Sequence, residues 1–91
     1  VAIIGSLVKI AAPKSKTVLF SEPDGWYGCV VTDDAGFGLV VDRRRISQNS
    51  YSKMYVCRII LSGKIGWLDE MHLITVALPY TLYESWHNLW P

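Results

Sequence analysis

The chain alternates short apolar runs with clusters of turn-forming residues. Leu7-Val8-Lys9-Ile10 follows Gly5-Ser6 and predicts a first strand, which Pro13 stops. Residues 11–25 predict a long connection. Its middle, Thr17-Val18-Leu19-Phe20, has the composition for a short strand pair of its own, and Pro23-Asp24-Gly25 is turn chemistry. Trp26 to Thr32 (WYGCVVT) is rich in β-branched and aromatic residues and predicts a second strand. Asp33-Asp34-Ala35-Gly36 predicts a tight turn, and Phe37 to Asp42 (FGLVVD) a returning strand, so these two strands are expected to form a hairpin. Arg43 to Ser52 (RRRISQNSYS) is polar and is expected to be an exposed loop. Lys53 to Leu61 predicts a long strand, Ser62-Gly63 a two-residue turn and Lys64 to Leu68 the next strand. Asp69 to His72 predicts one helical turn, and Leu73 to Ala77 the last strand.

Short strands at this spacing predict a mostly-β domain, a barrel or a sandwich. The C-terminal end breaks the pattern. Thr81-Leu82-Tyr83-Glu84 fits a capping box, in which the Thr81 hydroxyl and the Glu84 carboxylate satisfy backbone N–H groups at a helix start. Leu82, Trp86, Leu89 and Trp90 then share one helical face, which predicts a short helix over 82–90. A helix that short is not stable alone in water. Its apolar face must dock on its own barrel or on another chain. The expected organisation is therefore a barrel over residues 1–78 and an aromatic tail over 79–91.

Composition narrows this picture. The 91 residues allow one domain, and a chain this short buries only about 60–65% of the surface its unfolded form exposes. That leaves little material for a deep substrate pocket. Hydrophobic residues make up 51% and include four Trp, five Tyr and two Phe, which excludes a disordered chain. A small barrel has few interior places for four tryptophans, so some are expected to face a partner. The net charge of +1 supplies no global field for nucleic acid or membrane. No apolar run reaches the ~20 residues of a membrane span. Val1-Ala2-Ile3-Ile4 lacks the charged region that opens a signal peptide. The chain begins without Met, which leaves a processed start and a longer product both open. Cys29 and Cys57 sit in separate apolar runs and read as buried thiols in a reducing compartment rather than as a disulfide.

One stretch carries a resemblance. Gly63-Lys64-Ile65-Gly66-Trp67-Leu68 followed by Asp69-Glu70-Met71-His72 and Leu73 resembles the end of SH3-like barrels, where a single 3₁₀ turn precedes the final strand. Gly5 to Ile10 is similar to that family's first strand, residues 11–25 to its long first loop, and Gly25 to Val31 to its second strand. The resemblance covers residues 5–77, and it is shared with small bacteriophage-encoded proteins and with bacterial SH3 and KOW-type domains. It implies a five- to six-stranded SH3-like barrel. The chain departs from the family at three places. The acidic, Tyr-rich motif used on proline-rich peptides is missing from the first strand, so that recognition is not implied. Phe37 to Ser52 reads as an insertion, and residues 79–91 lie outside the pattern.

The catalytic chemistries are weakly supported. His72 and His87 are the only histidines, and neither lies beside a recognisable nucleophile motif. No Cys or His pair has zinc-ligand spacing. Asp33-Asp34 and Asp69-Glu70 are adjacent pairs in turns, where side chains point apart into solvent. No metal or cofactor and no small-molecule substrate is expected. The contact candidates are of two kinds. Arg43, Arg44 and Arg45 suit phosphate, with Trp26 and Tyr51 as stacking surfaces. Tyr83, Trp86, Leu89 and Trp90 suit an apolar groove. Trp67 and Phe37 are expected in the core. The expected function is a non-enzymatic protein-interaction or assembly module acting on a protein partner or a second copy. The resemblance implies a phage-encoded structural or accessory protein, in the cytoplasm or the virion. The alternative is an RNA- or DNA-binding KOW-type domain that uses the Arg43–Arg45 segment.

Overall fold

The computed structural model describes residues 2–25, 28–49 and 52–79, with the backbone alone at 47–49, 52 and 53. It contains β1 (Leu7–Ile10), β2 (Lys16–Phe20), β3 (Cys29–Asp33), β4 (Phe37–Asn49), β5 (Ser52–Leu61), β6 (Lys64–Asp69), a 3₁₀ turn (Glu70–His72) and β7 (Leu73–Ala77). The strands form one antiparallel sheet in the order β3-β2-β6-β5-β4-β1-β7. The fold is mostly β, as expected, but the sheet does not close into a barrel. Among the described residues β3 pairs only with β2 and β7 only with β1, so no ladder joins the two ends. No helix among them is long and apolar enough to cross a membrane.

Period-two alternation sets the core. Val8 and Ile10 of β1 point inward, as do Cys57, Ile59 and Leu61 of β5, where they meet Leu19, Val40 and Leu68. The β2–β3 pair lies against this core. Leu19 is fully buried, the Thr32 hydroxyl donates to the Leu61 carbonyl at 2.8 Å, and the Ser62 hydroxyl donates to the Asp33 carbonyl at 3.1 Å. The approach of β2 to β6 is close enough to require glycine. A Cβ at Gly66 would lie 2.5 Å from the Leu19 Cβ and 3.0 Å from the Phe20 carbonyl oxygen. The β5–β6 turn is as tight as expected, with φ of 51° at Ser62 and 77° at Gly63. Positive φ at both central residues matches the twist of the flanking strands.

Several expectations are corrected. The hairpin expected between 26–32 and 37–42 does not form. The Asp34 N–H donates to the Ser15 carbonyl at 3.2 Å, and its carboxylate accepts the Lys14 N–H at 2.9 Å. Asp34 is thereby buried and tied to the start of β2, and the chain moves on to a different place in the sheet. The solvated pair expected at Asp33-Asp34 is corrected with it, although Asp33 does stay exposed beside Lys16. The segment expected as a loop from Arg43 to Ser52 is strand over most of its length. Arg43 faces Cys57, Arg44 faces Val56 and Arg45 faces Tyr55 across the β4–β5 ladder. Backbone pairing, not side-chain polarity, decides that state. Phe37, expected in the core, is 62% exposed, because it opens β4 opposite Lys9 on the outer face. The helix expected over 82–90 lies outside the described residues.

That outer face is itself apolar. Leu7 pairs with Leu39, Leu39 with Ile60, and Ile60 with Ile65, so the four form a row across β1, β4, β5 and β6. Leu39, Ile60 and Ile65 are each 40–45% exposed, and Ile74 and Val76 of β7 are exposed beside them.

Candidate binding groove

A concavity lies where β2, the β4–β5 hairpin and the 3₁₀ turn converge. Phe20, the last residue of β2, pairs with Trp67 of β6. The chain then turns at Glu22–Gly25, with the Gly25 N–H donating to the Glu22 carbonyl at 3.1 Å. Val56 pairs with Asp69 and Ile46 with Met54, so alternation puts Ile46, Met54, Val56, Trp67 and Asp69 on one face. Together with Phe20 and Pro23 they enclose a groove of ≈ 270 Å³. Its apolar floor is rimmed by Glu22, Asp24, Asp69 and His72, and among the described residues no Lys or Arg lines it. Trp67 is only 5% exposed, so it forms a floor rather than a protruding anchor. The Arg44 guanidinium lies 5.4 Å from the Trp67 ring centroid, within cation–π range. It also sits 3.5 Å from the Asp42 carboxylate.

The opposite face of the same hairpin holds a different cluster. The Arg43 Nε donates to Glu70 Oε2 at 2.7 Å, and its Nη2 to Oε1 at 3.4 Å. The guanidinium stacks 3.7 Å from the Tyr55 ring centroid. Partial burial would raise the Glu70 pKa, but the Arg43 hydrogen bond and charge, with a hydrogen bond from the Ala2 backbone, hold it below its ordinary value. The same hydrogen bond raises Arg43 above its own. Glu70 is therefore not the solvated turn carboxylate expected from its sequence position. Cys57 lies at the edge of this cluster, with its Sγ 4.0 Å from Glu70 Oε2. Burial, then the Glu70 charge, pushes its thiol up to about 11. A thiol held that high is a poor nucleophile at neutral pH. Cys29 is exposed, and both cysteines are free.

The arginine run is thus divided. Arg43 and Arg45 share one face of β4, and Arg44 takes the other. Arg43 is committed to Glu70 and Arg44 lies against Asp42 and Trp67, while Arg45 is exposed. The three do not form one basic patch. Trp26, Tyr51, Tyr83, Trp86, Leu89 and Trp90 lie outside the described residues. The groove acids Glu22 and Asp24 were not singled out as site residues by sequence reasoning, and Asp69 was read only as a solvated turn carboxylate. The Pro23-Asp24-Gly25 turn was legible, but its meeting with Trp67 depends on the long-range Phe20–Trp67 pairing. No known protein family matches the chain, and no curated protein or solved structure matches it significantly.

Proposed function

We propose that this chain is a non-catalytic interaction module of SH3-like architecture whose groove takes a basic and apolar segment of a partner protein. The acid-rimmed aromatic groove carries this reading. Its apolar floor suits one or two aliphatic or aromatic side chains, and its three carboxylates suit a flanking Lys or Arg. A volume of ≈ 270 Å³ falls just below the roughly 300–1,000 Å³ of small-molecule sites, which favours part of a peptide over a whole substrate. The single 3₁₀ turn between β6 and β7 supports the SH3-like assignment. The setting we propose is assembly, including the phage structural or accessory role that the resemblance implies.

Nucleic-acid binding is the weaker reading. Phosphate would have to pull Arg43 from Glu70, and the groove rim would repel it. The test is a fluorescence titration with three probes: a Lys/Arg-flanked apolar peptide, its Asp/Glu-flanked counterpart and a single-stranded RNA. The basic peptide is expected to bind. Glu22→Lys and Asp69→Lys are each expected to weaken it about tenfold, the equivalent of ~1.4 kcal/mol. Binding of RNA alone, lost in a triple Arg43, Arg44 and Arg45→Ala variant, would overturn the proposal in favour of the nucleic-acid reading.

A further inference from the structure

We infer that the partner segment does not end in the groove but runs on into a second hollow beside it, and that the two hollows together read a Lys or Arg set between two apolar residues. This rests on the proposed role of the groove and names the order of residues in its ligand. The second hollow, of ≈ 460 Å³, is lined by Met54, Tyr55, Asp69, Glu70 and Met71. It shares Met54 and Asp69 with the groove, so these two side chains form the sill between them.

A mismatch in strand length makes the second hollow. β5 runs from Ser52 to Leu61, and β4 stays paired with it as far as Ser52. β6 pairs with β5 only as far as Val56, opposite Asp69, and then gives way to the 3₁₀ turn. Past that point the β6 side of β5 faces a turn, which does not fill the space a strand would. Met54 and Val56 share a face by alternation and Tyr55 takes the other, so the hollow wraps the strand edge from the groove face to the opposite one. Two large apolar side chains are exposed in it, Tyr55 at 37% and Met71 at 74%. Charge sets the order of the ligand. Glu70 is already held by Arg43. The Asp69 carboxylate, at the start of the 3₁₀ turn, makes no hydrogen bond or ion pair among the described residues. No Lys or Arg among those residues lines either hollow. An uncompensated carboxylate on the sill between two apolar hollows suits one cation with an apolar neighbour on each side. The stem of that Lys or Arg lies along Met54 while its head reaches Asp69. One apolar neighbour enters the groove over Trp67, and the other lies against Tyr55 and Met71.

Anisotropy titrations of the full chain test this with four labelled peptides on one Ser/Gly scaffold. They carry Leu-Lys-Leu, the same with either Leu changed to Ser, and the same with Lys changed to norleucine. The Leu-Lys-Leu peptide is expected to bind at least about tenfold tighter than either single-Leu peptide. Met71→Ser, at an exposed position, is expected to weaken the Leu-Lys-Leu peptide several-fold and to leave one of the single-Leu peptides, the one that fills only the groove, unchanged. Asp69→Asn is expected to abolish the preference for Lys over norleucine. Binding by none of the four would overturn the groove reading and the inference together. Two results would overturn the inference alone and leave the groove reading standing. One is a Met71→Ser variant that binds every peptide as the unsubstituted chain does. The other is a Lys preference that survives Asp69→Asn and is lost in Glu22→Gln. A free chain that sediments as a dimer, and that the Leu-Lys-Leu peptide splits, would assign the hollows to a second copy and overturn it too.

Discussion

Ile59 and Ile60 are neighbours on β5, identical in chemistry and opposite in fate. Ile59 is 0% exposed and Ile60 is 40% exposed. Ile59 belongs to the core with Val8, Val40 and Leu61, whereas Ile60 meets Leu39 and Ile65 on the open side of the sheet. The two faces differ less in hydrophobicity than in cover. The β2–β3 pair covers the inner face, whereas Leu39, Ile60 and Ile65 on the outer side stay 40–45% exposed. In a strand that is apolar on both sides, side-chain type alone does not say which face is the interior.

The cysteines give the widest test of this difference. Cys29 is exposed and Cys57 is buried with a raised pKa. A thiol reagent at neutral pH is expected to label Cys29 at once. Cys57 should label only when the chain opens, slower by at least about 10³ for a domain stable by ~5 kcal/mol. Comparable rates would show that the inner face is not closed. Ile59→Ala is expected to cost about 2–5 kcal/mol in urea unfolding, the range for truncating a buried aliphatic side chain. Gly66→Ala should cost about 1–3 kcal/mol, since the new methyl meets the Leu19 Cβ and the Phe20 backbone. An unchanged midpoint would mean that β2 can move away from β6.

Glu70→Gln is expected to cost about 1–3 kcal/mol at neutral pH through the lost charge-assisted hydrogen bond. Its pH dependence has a definite sign. The native Glu70 pKa is depressed, so its contribution is complete above the ordinary carboxylate value and is lost as pH falls from that value through the lower native one. The stability–pH curve of Glu70→Gln should be flatter on the acid side, and parallel curves would argue against the pairing. The smallest effect belongs to Ile60→Ser. A bare outer face predicts a change within about 0.5 kcal/mol. A larger loss would indicate that the outer face is covered.

Much of the strand pattern was legible in the sequence because turn chemistry is local. Ser62-Gly63, the Glu70–His72 turn and the strands on either side follow from residues close together in the chain. Two errors came from pairing, which is not local. The 26–32 and 37–42 strands looked like a hairpin because Asp33-Asp34-Ala35-Gly36 is a sound turn. The anchoring of Asp34 to Lys14 and Ser15 sends the chain elsewhere. Arg43-Arg44-Arg45 read as a loop because it is polar, yet the β5 partner supplies its backbone hydrogen bonds. The groove was legible only in pieces. Trp67 was identified as buried, but its union with Glu22, Asp24 and Met54 comes from three separate elements.

Gly66 also bears on how this chain would be traced through divergence. Each of the nineteen alternatives at position 66 adds at least a carbon where β2 crosses, so substitution there is a vote against the whole crossing. Ile65, one residue earlier and open to solvent, carries no such veto. In a mutational scan the two neighbours should mark the extremes of permissiveness within β6. A distant relative would be better recognised by a missing side chain at this crossing, followed at once by a buried aromatic, than by its overall resemblance in composition.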